Sequence, residues 1–265
     1  MERGNPSRRA PSALASGLRP LEGALWIVFL LLSAVIAVVW GGDIGGHQIE
    51  RAVSNAGLRS TLERLLLFAD LAWFTLAAVT LHQCLAEAEG LAVARHWALI
   101  VCGGAALAAI LNATGVLSPG LRTVYGVALG MKIGPVSVGF VLLWYVVILG
   151  SREIVLRFAP KASQIQLAIG TGVLVGLTGL NLENTAARFR GYWFWVANDL
   201  SLPPVFQPPV AEYLVWFIFG AGILFFLREQ RIAANPRERS WKPVIIFGSL
   251  NAVFLLANCG RALRG

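Results

Sequence analysis

LEGALWIVFLLLSAVIAVVW, residues 21–40, is a run of twenty residues that contains one acidic residue and no basic one. About 20 mainly apolar residues in a helix cross the roughly 30 Å hydrocarbon core of a bilayer. Further apolar runs follow at about 64–84, 97–117, 134–150, 165–182, 210–228 and 243–260. The sequence therefore predicts an all-α, polytopic integral membrane bundle of about seven transmembrane helices.

The composition supports this fold class. Hydrophobic residues make up 57% of the chain and charged residues 14%, and the mean hydropathy is +0.68, values that lie outside the range of soluble domains. The net charge of +8 comes from bases in the tails and loops between apolar runs, where they face anionic lipid. We therefore expect the lipid bilayer as a partner and no nucleic acid.

Domain organisation follows from the same pattern. Residues 1–20, MERGNPSRRAPSALASGLRP, combine Pro, Ser, Gly and Arg, a composition typical of a disordered basic tail. Residues 21–265 form one transmembrane domain, and run 21–40 is its first helix rather than a signal peptide because more spans follow. Basic residues are more numerous on the side of the tail, so the positive-inside rule predicts a multi-pass protein of the inner (plasma) membrane with a cytoplasmic N-terminus and an exterior C-terminus.

Glycines recur at a spacing of four residues in two places, Gly126-x-x-x-Gly130-x-x-x-Gly134 and Gly172-x-x-x-Gly176. This spacing is typical of close packing between membrane helices. We expect both series to lie on helix faces. The aromatic stretch from Tyr192 to Phe206 is instead expected to be an interfacial or re-entrant piece.

Several kinds of site have no signature in this sequence. The three histidines are scattered and form no H-x-x-x-H cluster, the three cysteines form no C-x-x-C pair, and neither a Walker A sequence nor a G-x-S-x-G elbow is present. These patterns normally mark di-iron, zinc, nucleotide and serine-nucleophile sites. We therefore expect no metal and no cofactor.

Polar residues at or near bilayer depth are the candidates for function, because ionisable groups there are costly to bury. With the N-terminus inside, they converge on the outer membrane face, beside the aromatic loop at residues 188–195. A structural interpretation remains open, in which Asp70 bonds across helices and the acids nearer the surface are solvated or pair with Arg188 and Arg190. The functional interpretation is a lipid-accessible pocket with aromatic walls. Its polar members are Asp70, Asn112, Glu183 and Glu212, whereas Asp199 near the surface is expected to be solvated or paired.

Between about Asn112 and Arg228 the chain resembles a known family. The similar pieces are NATGVLSP (112–119), Tyr125-Gly126, GPVSVGFVLLWY (134–145), LNLENTAARFRGYWFW (180–195) and PPVAEYLVWF (208–217). Their order and spacing are similar to those of the carotenoid biosynthesis membrane proteins, which include the hydratases of bacterioruberin and myxol-type pathways. The chain has Asn112 where the family tends to have an acid, Glu183-Asn184 in place of an aspartate-proline pair, and Glu212 in place of an asparagine.

This resemblance implies a hydro-lyase that hydrates the terminal double bond of an acyclic carotenoid such as lycopene or a bacterioruberin precursor. Protonating such an alkene gives a tertiary carbocation, which requires an acid, a dry site and a positioned water. Carboxylic acids in apolar surroundings keep their proton, and aromatic faces stabilise the cation. No metal or redox cofactor is required.

Roles for the candidates follow from that chemistry. Asp70 or Glu183 is the expected acid, and Glu212 or Asn112 orients the water. The expected substrate contacts are Tyr125, Trp144, Tyr192, Trp193, Trp195 and Trp216. The alternative from another class is a small transporter or non-catalytic membrane protein in which the same acids bind a proton or a partner.

Overall fold

The structure is a computed structural model that describes residues 13–41, 54–117, 120–126, 129–197, 210–226 and 240–263. Its helices are α1 (Ala13–Gly41), α2 (Ala56–Glu89), α3 (Leu91–Ala113), α4 (Val138–Phe158), α5 (Gln164–Glu183), α6 (Val210–Phe226) and α7 (Lys242–Ala262). Six of them are long and apolar enough to cross a membrane. The remaining one, α6, is shorter at 17 residues.

Each predicted apolar run corresponds to one of these helices, and the ends differ for local reasons. Helix α2 begins at Ala56 because the Asn55 side chain caps it, accepting a hydrogen bond from the Leu58 amide at 3.0 Å. Helix α4 continues past its predicted end at 150, where Arg152 forms a buried ion pair with Glu89. Helix α1 extends into the predicted tail, of which residues 1–12 lie outside the described part of the chain.

The expectation of an all-α fold needs one correction. Strand β1 (Leu121–Tyr125) pairs antiparallel with β4 (Trp193–Ala197), and β2 (Lys132–Ile133) pairs with β3 (Val136–Ser137). The first pair joins the loop after α3 to the loop after α5. The aromatic stretch expected to be interfacial thus contains a β-strand, whose backbone groups are satisfied by a partner distant in sequence.

The first glycine series was wrong as a helix-packing motif. Gly126 follows β1, and Gly130 and Gly134 have φ angles of 79° and 60°, a conformation that favours glycine in turns. A Cβ atom at Gly126 would lie 1.8 Å from the Gly191 carbonyl oxygen. This glycine therefore permits close approach between the two loops that carry β1 and β4.

The second glycine series packs helix against helix, as expected. A Cβ on Gly172 would lie 2.9 Å from the Phe217 carbonyl oxygen, and one on Gly176 would lie 3.5 Å from the Phe217 Cβ. Gly179 lies outside the series and makes a similar contact, since a Cβ there would lie 2.6 Å from the Trp216 ring. Because these glycines lack side chains, α6 lies directly against α5. Close packing of this pair places Trp216 beside the last turn of α5.

Candidate functional site

A small cavity lies at one end of the bundle, which we call the site end. It is enclosed by the end of α3, the β1–β4 pair and the beginnings of α4 and α6, together with the end of α5. Its free volume is about 30 Å³, room for one or two water molecules. The lining residues are Ala108, Asn112, Thr123, Tyr125, Phe140, Trp144, Glu183, Trp193, Trp195, Glu212, Val215, Trp216 and Phe219.

Glu183 is the most deeply placed acid in this cavity, with 1% of its surface exposed. One carboxylate oxygen accepts a hydrogen bond from Trp193 Nε1 at 2.9 Å, and the other accepts one from Trp216 Nε1 at 2.6 Å. Gly179 lies one turn earlier on α5 and makes room for the Trp216 ring. Both oxygens are therefore fixed in position by groups from β4 and α6.

Directly after Glu183 the α-helix changes to a π-helical segment, Asn184–Phe189. The Thr185 hydroxyl in this segment donates to the Asn258 side-chain oxygen at 3.1 Å, and the Asn258 side-chain amide donates to the Asn181 backbone carbonyl at 2.6 Å. Such wide turns redirect the chain and often occur at functional positions. Here the turn leads the chain from α5 into the loop that carries β4.

Glu212 is the second acidic residue of the cavity wall. It lies in the first turn of α6, is 7% exposed and accepts a hydrogen bond from Trp195 Nε1 at 3.2 Å. Alternate residues of a strand point to the same face, so β4 places both Trp193 and Trp195 on the cavity. Two consecutive inward residues of one strand thus bind two different carboxylates.

Aromatic rings form much of the remaining wall. Trp144 stacks on Trp216 with 4.2 Å between ring centres. Phe140 lies edge-on to Trp193 at 5.6 Å and beside Tyr125 at 4.8 Å. A positive charge that develops in this cavity would face several π systems, an arrangement that stabilises cations.

Two polar groups of the wall have no hydrogen-bond partner within the described part of the chain, the Tyr125 hydroxyl and Trp144 Nε1. The Asn112 side chain lies near the hydroxyl, outside hydrogen-bonding geometry. Burial raises the pKa of the Tyr125 phenol, and the Glu212 carboxylate adds to that effect. Tyr125 therefore keeps its proton and offers a donor to an oxygen atom in the cavity.

Asp70 lies outside the cavity and forms a buried ion pair with Arg190. Arg190 Nε donates to Asp70 Oδ2 at 2.8 Å, and its terminal nitrogen binds the same oxygen. The guanidinium also lies over the Trp40 ring, 5.5 Å from its centre. This geometry matches the structural interpretation of Asp70 and favours a positioning role over that of proton donor.

Tyr192 also lies outside the cavity, because it precedes β4 and packs in the interior against Trp40 and Phe74, with ring centres 6.1 and 6.0 Å away. Burial raises the pKa of its phenol, and the nearby Asp70 carboxylate adds to this. The structure thus places Tyr192 beside the ion pair and not on the cavity wall. Asp199 and Arg188 cannot be placed, since Asp199 and the Arg188 side chain lie outside the described part of the molecule.

The cavity collects most of the predicted site residues and adds five that sequence reasoning missed. The missed residues are Ala108, Thr123, Phe140, Val215 and Phe219. A helical period does connect some of them, because Glu212, Val215, Trp216 and Phe219 recur on one face of α6, and Phe140 lies one turn before Trp144. Thr123 alternates with Tyr125 on β1, a strand that the apolar pattern did not reveal.

Comparison with known proteins identifies no matching family model, no similar curated protein and no similar solved structure. The resemblance to the carotenoid biosynthesis membrane proteins therefore stays a prediction that rests on the motifs quoted above. Within the described residues, no group of three or more His, Cys, Asp or Glu side chains is placed to hold a metal ion.

Proposed function

We propose that this chain is a multi-pass membrane enzyme that hydrates the terminal double bond of an acyclic carotenoid. One observation carries the proposal: Glu183 and Glu212, held by indole N–H groups, line the same aromatic-walled cavity. The described cavity wall includes no Lys, Arg or His. No cation on this wall compensates two carboxylates at once. Because a buried charge without a partner is costly, the wall favours one protonated and one ionised carboxyl group.

Glu183 is the acid in this mechanism. Its carboxyl group transfers a proton to the less substituted carbon of the terminal alkene, and the π electrons form the new C–H bond. The indole N–H groups of Trp193 and Trp216 then stabilise the carboxylate that remains. Hydrogen bonds to a developing anion are stronger than those to the neutral acid, so these contacts favour proton transfer.

The tertiary carbocation is stabilised by the aromatic wall. Trp193 and Phe140 line the cavity edge to face with each other, and the stacked pair Trp144 and Trp216 lines it as well. A dry aromatic enclosure also protects the cation from premature capture by bulk water. The wall thus provides both electrostatic stabilisation and exclusion of solvent.

Glu212 is the base. A water molecule held by the Tyr125 hydroxyl attacks the cation, its oxygen forms the C–O bond, and its surplus proton passes to the Glu212 carboxylate. The product is a tertiary alcohol. Return of that proton from Glu212 to Glu183 restores the enzyme, so alkene and water are the only reactants consumed.

Expression of the full chain in a host that accumulates an acyclic carotenoid tests this function. We expect products with the mass of one or two added waters. Glu183→Gln removes the transferable proton and should lower product by at least about 100-fold, the usual contribution of a general acid. Glu212→Gln should lower it similarly, as measured by mass spectrometry of extracted carotenoids.

A matched control is Glu87→Gln, which changes an exposed acid on α2 and should leave the product unchanged. Protein yield after detergent extraction shows whether each variant is assembled. Absence of hydrated product from well-assembled wild-type protein would exclude carotenoid hydration. Normal product from both cavity variants would exclude the site.

A further inference from the structure

The cavity wall is buried on every side except one. Within the described wall, only Ala108, Val215 and Phe219 are partly exposed, and the other lining residues are buried. Ala108 belongs to α3, and Val215 and Phe219 belong to α6. The cavity therefore reaches the molecular surface between these two helices, at a place we call the mouth.

The mouth opens sideways through the helix wall. Ala108 lies five residues before the end of α3, and Val215 lies five residues after the start of α6. With a rise of 1.5 Å per residue, both are about 8 Å inside the helix ends. An opening at that depth in a membrane-spanning helix faces hydrocarbon rather than water.

The surface around the mouth is apolar. On α3, the exposed neighbours are Leu107 and Ile110, and on α6 they are Leu214 and Ile218. Further along the bundle the two helices come into contact, since a Cβ on Gly104 would lie 3.0 Å from Ile223. The contact between α3 and α6 thus bounds the mouth on the side away from the site end, and apolar side chains suited to lipid flank it.

We propose that this mouth is a lateral portal through which one end of a linear isoprenoid chain passes from the bilayer into the cavity. The rest of the chain then lies along the apolar surfaces of α3 and α6. This inference rests on the proposed function and names its access route and ligand shape. A terminal alkene group is larger than the present free volume, so the Phe219 ring, which closes against Trp144 at 4.7 Å, rotates outward to admit it.

Photoaffinity labelling of the full-length protein in membranes tests the portal without requiring turnover. The probe is a geranylgeranyl chain that carries a diazirine at its middle. We expect adducts on residues 104–111 and 214–223, suppressed by an acyclic carotenoid and not by a carotenoid with cyclic ends. Equal labelling of all lipid-facing helices would overturn the portal.

Two tryptophan substitutions on α3 form a matched pair. Ala108→Trp fills the mouth and should reduce competed labelling and product by at least tenfold. Leu99→Trp places the same ring on the opposite face of α3, outside the segment expected to be labelled, where Leu99 is 75% exposed, and should change neither. Unchanged labelling in Ala108→Trp would overturn the portal even if the product still forms. Labelling at the mouth without any hydrated product would uphold the portal and exclude the reaction. Should Ala108→Trp fail to assemble, the wild-type adduct map alone decides.

Discussion

Each tryptophan on the cavity face of β4 carries two different groups, an N–H donor at its edge and a π system on its face. Trp193 donates to Glu183 through Nε1 and meets Phe140 through its ring. Trp195 donates to Glu212. Because the donor and the π face belong to the same side chain, a single substitution removes both unless it is chosen to separate them.

Two substitutions at Trp193 separate these contributions. Trp193→Phe keeps a ring face and removes the N–H donor to Glu183, whereas Trp193→Leu removes both. We expect the leucine variant to form product about tenfold more slowly than the phenylalanine variant, because a desolvated cation–π contact contributes about 1 to 2 kcal/mol. Initial rates of product formation in isolated membranes measure the difference.

The control for this pair is Trp241, a half-exposed residue at the opposite end of the bundle that stacks with Arg157 at 3.9 Å. Its phenylalanine and leucine variants should give equal rates. Equal rates for the two Trp193 variants would mean that the ring face of Trp193 has no part in stabilising a cation.

At the residue scale, the ends of the apolar runs and the predicted topology were the signal. Asn112, Glu183 and Glu212 lie near run ends that the topology places on one membrane face, and the structure brings these three to one cavity. The partner of Asp70 could not be predicted from the sequence, because Arg190 lies 120 residues away and no periodicity connects the two. Whether an acid faces the cavity depends on such ion pairs between residues that are distant in sequence.

At the scale of elements, helices were predictable and strands were not. An apolar run of sufficient length predicts a membrane helix without knowledge of its neighbours. Strands β1 and β4 are five residues each and pair across a long separation, so neither shows a local pattern. Gly126 and Gly130 had a spacing typical of helices, yet the first allows two loops to touch and the second forms a turn.

The ion pair between α2 and the β4 loop fixes the position of that strand. Asp70 is on α2, Arg190 precedes β4 by three residues, and Arg190 also donates to the Leu66 carbonyl at 3.4 Å. In addition, the Tyr192 amide donates to the Ala186 carbonyl at 2.8 Å. Movement at Arg190 would therefore shift both tryptophans that hold the cavity acids.

A double-mutant cycle tests this positioning role. Arg190→Gln alone leaves the buried Asp70 carboxylate without its partner, which costs about 3 to 5 kcal/mol. Asp70→Asn alone leaves the partly buried Arg190 without its anion, which costs less. The double variant leaves no such charge, so its loss of thermal stability in detergent should be smaller than the sum of the single losses. Product formation should recover in parallel, because the strand returns to its position.

Additive losses in stability would contradict a coupled pair. An Asp70→Asn variant that keeps full stability and loses all product would instead return Asp70 to the role of proton donor. The exposed Glu87→Gln substitution on the same helix provides the baseline for both measurements.

At the scale of the whole molecule, the number of crossings depends on α6. Its 17 residues correspond to about 26 Å at 1.5 Å per residue, slightly less than the bilayer core of roughly 30 Å. It nevertheless runs antiparallel along most of the length of α5. Gly179 meets Trp216 at the site end, and Gln164 at the other end of α5 donates to the Leu224 carbonyl.

Because α6 packs along most of the length of α5, we expect it to cross the membrane together with α5. Helix α5 is long and apolar enough to span, over Gln164–Ala187, so we expect seven crossings and chain ends on opposite sides.

A reporter of membrane side fused after Arg239 should read cytoplasmic, and one fused after the last residue should read exterior. A third fusion between Thr114 and Gly120, before β1, should read exterior and places the cavity at the outer face. If the fusions after Arg239 and after the last residue read the same side, α7 does not cross. If the two chain ends lie on one side and Arg239 lies on the other, α7 crosses. An odd number of the helices α1 to α6 then fails to cross.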